Sequence, residues 1–257
     1  MSCIFCFGKF NNSGEEIGID DWKKITDNIA LAFKGESIRI TLAGGEPLLF
    51  KEIGELIDYI HGKGMKVALI TNGQLLNEGF LADKKDKIDT IGISIDSLVD
   101  KSNLEIGRAC KGIGISRDEY IEKCQLIKSY GIGLKINTVV NSLNYKESML
   151  NFLEITEPDK WKVFNMLLLD GENNNAKKYK VSEDKFTQFI ENHKKYQPVI
   201  EDNEDMIGSY ITISPGGVLV DNSSGKYIYS NSLVDSNFLQ ELERVNFNWK
   251  SFSSRYE

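Results

Sequence analysis

The 257 residues suit one large domain or one domain with an appendage, and 41% hydrophobic with 27% charged residues excludes a disordered chain. A formal net charge of −7 argues against broad non-specific nucleic-acid binding, yet a few lysines can still reverse the field inside a cleft and hold a small anion. No apolar run approaches the roughly 18–20 residues that cross a membrane, and MSCIFCFGKF lacks the pattern of a secretory signal, so a cytoplasmic protein is expected.

Short β-branched runs alternate with amphipathic stretches over the first 170 residues. Trp22, Ile25, Ile29 and Phe33 recur at helical spacing after Asp20 and Asp21. Strands are predicted over 38–42, 66–71, 88–95, 133–140 and 161–169. Helices are predicted from Ile53, from about Leu75, and over 117–130 and 145–155. Alternation of this kind implies βαβ units around a parallel sheet. Five strands suit a partial (βα)6 TIM-like barrel better than a closed eightfold one. The expected division is a barrel over 1–170 and a C-terminal extension over 171–257. The extension contains a helix over 182–196, a β-hairpin of 210–214 and 218–221 around Pro215-Gly216-Gly217, and a helix over 238–245. His61 and His193 fall in helices and read as surface residues, and the acidic run 201–205 reads as solvated loop.

Four cysteines are too few and too unevenly spaced for a disulfide framework. Cys3-Ile4-Phe5-Cys6 can turn both sulfurs to one side, and by itself the pair fits an iron–sulfur cluster, a zinc site or no metal equally well. Cys124 shares a helical stripe with Tyr120 and Ile127 and reads as core, while Cys110 lies in a glycine-bearing loop.

The rest of the chain separates these readings. Cys3, Cys6 and aromatic Phe7, followed after the next strand by Ala43-Gly44-Gly45-Glu46-Pro47, resemble the radical S-adenosylmethionine (SAM) superfamily. Its signature is CxxxCxxC with a GGE motif. The resemblance implies a [4Fe–4S] cluster on Cys3 and Cys6 and a SAM site of Phe5, Gly44, Gly45, Glu46, Asn72 and Ser94. Glu46 would hold the methionyl ammonium, and the glycines would let backbone approach the ligand. The first cysteine of the signature would fall before Met1, so the third cluster ligand is expected outside the chain, and weak cluster binding is expected from these residues alone.

A narrower resemblance is to the viperin-like antiviral nucleotide dehydratases, especially the prokaryotic ones. Ile-Ser-Ile-Asp-Ser (93–97), Ile106-Gly107-Arg108, Lys135-Ile136-Asn137, Trp161-Lys162-Val163-Phe164, Asp170-Gly171-Glu172-Asn173 and Ser209-Tyr210 stand in the order seen there. This implies a SAM-dependent lyase that takes hydrogen from C4′ of a ribonucleoside triphosphate (CTP, UTP or GTP). Loss of the 3′-hydroxyl then gives a 3′-deoxy-3′,4′-didehydro nucleotide that terminates RNA chains. The implied partners are the triphosphate and a flavodoxin- or ferredoxin-type reductant, with the protein a monomer that binds neither nucleic acid nor membrane.

Lys135 and Asn137 alternate along one strand and so share a face, as do Lys160 and Lys162. Two such pairs pointing into a barrel suit a triphosphate, the alternative being solvated lysines at strand ends. Arg108 is a further phosphate contact or a loop brace, and Lys226 a loop lysine closing over phosphate or simply solvated. Tyr210 carries over as a late hydrogen or proton donor, or packs the barrel mouth. Two other functions compete with this one: a radical SAM enzyme acting on another small molecule or a peptide, and a non-catalytic zinc or redox CxxC module. No cysteine follows Cys124, which counts against the auxiliary clusters common in peptide-modifying enzymes.

Overall fold

The structure, a computed structural model, describes residues 1–253. Six parallel strands curl into a half-barrel with the order β1-β2-β3-β4-β5-β6: β1 (Arg39–Leu42), β2 (Lys66–Thr71), β3 (Thr90–Ser94), β4 (Gly133–Val140), β5 (Lys160–Asn165) and β6 (Val199–Glu201). Between and around them run α1 (Ile19–Ala32), α2 (Ile53–Gly62), α3 (Glu78–Lys84), α4 (Asp100–Glu105), α5 (Arg117–Ser129), α6 (Leu150–Thr156) and α7 (Glu183–His193). The remainder is α8 (Asn203–Met206), a three-stranded antiparallel sheet of β7 (Thr212–Ile213), β8 (Val218–Asp221) and β9 (Ile228–Ser232), then α9 (Phe238–Leu242) and α10 (Trp249–Ser253).

Local chemistry sets several boundaries. Asn77 accepts the Phe80 amide at 3.0 Å, so α3 starts later than its apolar pattern suggests. Ser116 and Glu119 form a reciprocal capping box that opens α5. The helix expected from 145 begins at Leu150, because Asn141 and Asn144 bond the backbone and hold the preceding segment in turns.

The main core lies between the strands and their helices. Leu69, Ile91, Ile93, Leu134, Ile136, Trp161 and Val163 pack outward against residues such as Ile57, Leu81, Cys124, Phe152 and Phe189. By the two-residue period of a strand, Gly92, Ser94, Lys135, Asn137, Lys160 and Lys162 face the barrel interior.

Three expectations are corrected here. The sixth strand was not foreseen: Glu201 is no solvated acid but is buried in β6, which lies beyond residue 170, so the barrel sheet crosses the expected boundary. The hairpin carries a third strand, β9. His193 is buried, accepting the Met149 amide at Nε2 (2.9 Å) with Nδ1 2.7 Å from the Phe189 carbonyl, and burial lowers its pKa.

Candidate functional site

At the C-terminal rim of the half-barrel, β1 runs into Ala43-Gly44-Gly45-Glu46. Gly44 adopts φ +142°, a conformation that L side chains rarely take, and a Cβ built on either glycine meets nothing within 4 Å. The turn therefore presents bare backbone to open space. The Glu46 carboxylate ties it to the end of β2, accepting the Thr71 hydroxyl at 2.6 Å, the Asn72 amide at 2.8 Å and the Leu48 amide at 3.3 Å. A carboxylate has about four acceptor positions, so one is left for an ammonium group. Asn72 follows β2 directly, its Oδ1 accepting the Gln74 amide at 2.8 Å, and Ser94 ends β3 on the interior face.

The cysteine loop is clamped from two sides. The Ser2 and Ile4 amides donate to the carbonyls of Gly107 and Ile106 at 3.1 and 2.9 Å. Asn173 donates to the carbonyls of Phe5 and Leu167, both at 2.9 Å, and accepts the Leu169 amide at 2.9 Å. The Phe5 ring is buried with Ile106, Met166, Ala176 and Tyr179. Gly107 has no room for a side chain: an added Cβ would lie 2.4 Å from the Ser2 carbonyl oxygen. The Ile106-Gly107-Arg108 and Glu172-Asn173 motifs thus build the cysteine loop.

Arg108 belongs to this end of the site and not with the interior lysines. It is buried, paired through Nε with Asp96, and lies beside Cys3. Burial pushes the Cys3 thiol up to about 11, and the Arg108 charge acts the other way. Cys3 and Cys6 fit two thiolate positions of a cluster. The third has no candidate among the described residues, for Cys124 is sealed in the core on the buried face of α5 and Cys110 sits in a tight backbone bridge with Ile113.

Deeper in the barrel, Lys135 aligns with Lys160 and Asn137 with Lys162 across β4 and β5, so both pairs share one face of the sheet, with Lys160 exposed where β5 begins. Burial, then the charges of Lys162, Lys160 and Arg39, lower Lys135 to about 8, while Glu201 acts against them. Asn137 is 8% exposed, and its Oδ1 has no hydrogen-bond partner. Gly92 leaves space for this amide, since a Cβ there would stand 3.3 Å from Nδ2. Lys162 pairs with Glu201, and the Tyr210 hydroxyl donates to the other oxygen of the same carboxylate. Lys162 Nζ is 3.4 Å from that hydroxyl. Lys226 is exposed, on a turn bridged to Asp170 through its backbone.

Sequence reasoning missed Glu201 and Asp96. The signal for Glu201 is the pair of β-branched residues before it, Val199 and Ile200, which mark a short strand, and Asp96 stands in the Ile-Ser-Ile-Asp-Ser motif with nothing in the sequence to show its partner.

The pattern of the radical SAM superfamily matches residues 1–154. The chain belongs to that superfamily. It is 35% identical over 265 residues to an S-adenosylmethionine-dependent nucleotide dehydratase of Lacinutrix mariniflava, covering 99% of this chain and 55% of the relative, so it spans about half of that protein. A protein of the same name from Flammeovirga pacifica is 33% identical over 260 residues, with 99% and 90% covered. Streptococcus suis SuiB bound to S-adenosylmethionine superposes with a TM-score of 0.70 at 15% identity over 98% of this chain and 64% of that one, a likeness of fold. The chain is a viperin-like member of the superfamily, whose enzymes use a [4Fe–4S] cluster and SAM, and this sets aside the zinc or redox module. No helix among the described residues is long and apolar enough to cross a membrane.

Proposed function

We propose that this protein dehydrates a ribonucleoside triphosphate (CTP, UTP or GTP) to the 3′-deoxy-3′,4′-didehydro nucleotide, a chain terminator in antiviral defence. The observation that carries this reading is the shared interior face of Lys135, Asn137, Lys160 and Lys162, set below the cysteine loop. When bound, the cluster and SAM supply a carbon radical able to take hydrogen from a substrate. Cys3 and Cys6 would hold the cluster. Gly44, Gly45, Glu46, Asn72 and Ser94 would hold SAM, with the Phe5 ring bracing the loop between them. Buried Arg108 adds positive charge at the cluster end, where it favours Cys3 as thiolate.

Lys135, Lys160 and Lys162 offer an array of cations for phosphate, and the unpaired Oδ1 of Asn137 offers an acceptor for a sugar or base donor. Val139, four residues beyond Lys135 on the same face, packs against the group that contains Phe5, so about 13 Å of strand separates Lys135 and Lys160 from the cysteine loop, and about 7 Å separates Lys162, which is level with Asn137. That spacing suits phosphates at one end and a ribose toward the other. Tyr210 lies beside Lys162, within reach of such a ribose as a hydrogen or proton donor, whereas Lys226, bridged through its backbone to Asp170, stands toward the cysteine end.

The test is direct. Protein carrying a third signature cysteine four residues ahead of Cys3, reconstituted anaerobically, receives SAM, a flavodoxin- or ferredoxin-type reductant and each of CTP, UTP and GTP, and 5′-deoxyadenosine is measured. Formation that depends on one triphosphate is expected. Formation independent of all three would remove the nucleotide reading and leave the superfamily assignment intact.

A further inference from the structure

Glu201 stands apart among the groups of the interior. It is an acid among cations, 3% exposed, at the end of a strand only three residues long. Each oxygen has its own partner: Lys162 Nζ on Oε1 and the Tyr210 hydroxyl on Oε2. Lys162 also lies 5.9 Å from the centre of the Tyr210 ring, so ammonium, phenol and carboxylate are joined in one group. The three groups come from three separate elements: β5, β6 and the segment before β7.

We propose that Glu201 is a positioning residue of the nucleotide site: one carboxylate holds Lys162 and Tyr210 together, and a nucleotide phosphate competes with it for Lys162. The inference rests on the nucleotide reading above and deepens it. A lysine ammonium has three donors but one unit of charge, and an anionic phosphate beside a buried carboxylate is repelled unless the cations between them are shared. Lys135, two residues before Asn137 on the same strand face, adds a second cation to that sharing. Binding therefore shifts Lys162 from Glu201 toward phosphate, while Tyr210 keeps its hydrogen bond to the remaining oxygen. The carboxylate thus sets nucleotide affinity through Lys162 and the placement of the phenol directly.

The sign of one substitution tests this. Glu201→Gln keeps the shape and removes the competing charge. Binding of tripolyphosphate and of CTP, UTP and GTP is measured by calorimetry without reductant, so that turnover plays no part. Tripolyphosphate and the preferred nucleotide should bind Glu201→Gln on the order of tenfold tighter than the unaltered protein. The melting temperature should fall without ligand and rise further with it, since binding then supplies Lys162 with its missing counter-charge. Lys162→Ala in the same background should erase the gain. Glu201→Asp, which withdraws the carboxylate by one methylene, should show a smaller gain and serves if the glutamine variant does not fold. Unchanged or weaker binding by the variants, with normal binding by the unaltered protein, would overturn the inference alone. If the unaltered protein bound neither tripolyphosphate nor any nucleotide, the functional reading would fail and this inference with it.

Discussion

The two ends of the half-barrel interior are built by opposite means. The cysteine end is held by backbone: amides on carbonyls, a glycine at 107 where no side chain fits, and one asparagine with three hydrogen bonds. The lysine end is held by side-chain charge: cations on one strand face with a single glutamate drawn into them. Backbone clamps tolerate little change, because a clash between backbone atoms has no flexible partner to give way. Charge clusters adjust, since long side chains can exchange one partner for another.

The contrast can be broken most severely at Gly107. Gly107→Val puts a branched side chain at φ +77° and within 2.4 Å of the Ser2 carbonyl, and should cost several kcal/mol. Cluster iron, measured after anaerobic reconstitution, should drop well below that of the unaltered protein while tripolyphosphate still binds. Next comes Asn173→Ala, which leaves two carbonyls and one amide without their partner, at about 3–5 kcal/mol. SAM binding should weaken and the melting temperature should fall by roughly 6–15 °C. If SAM affinity survived intact, the clamp would be ornamental to the site.

At the other end the effects are smaller and reverse their target. Lys162→Ala should weaken nucleotide binding by about tenfold and leave SAM binding unchanged; equal loss of both would mark this lysine as structural. Smallest is the effect of pH. Because burial and neighbouring cations hold Lys135 at about 8, its charge is present below that value and lost above it. Nucleotide affinity should fall a few-fold as pH rises through about 8, and Lys135→Arg should flatten the profile. A flat profile in the unaltered protein would detach Lys135 from the phosphates.

The same division governs how much could be read in advance. Lys135 with Asn137 and Lys160 with Lys162 were legible because a strand has period two, and Cys124 as core because a helix has period 3.6. Glu201 was not, since an acid is exposed by default and its burial depends on a lysine 39 residues away. Asn173 was visible as part of a motif, yet its role was hidden, because its carbonyl partner at Phe5 lies 168 residues earlier. Arg108 reads from sequence as either a phosphate contact or a loop brace, and the Asp96 that pairs with it could be located only once β3 and the following loop were in space.

The separation between Phe5 and Asn173 also bears on the order in which the protein is made. The cysteine loop emerges from the ribosome long before Gly107, longer still before Asn173, and before the turn at Gly216, which packs so tightly against Ser13 that an added Cβ would lie 1.9 Å from its carbonyl. Closing so long a loop carries an entropic cost that only the finished barrel offsets. The thiols at Cys3 and Cys6 are therefore made before the residues that fix their loop, and their positions are set only when those later segments have folded against it.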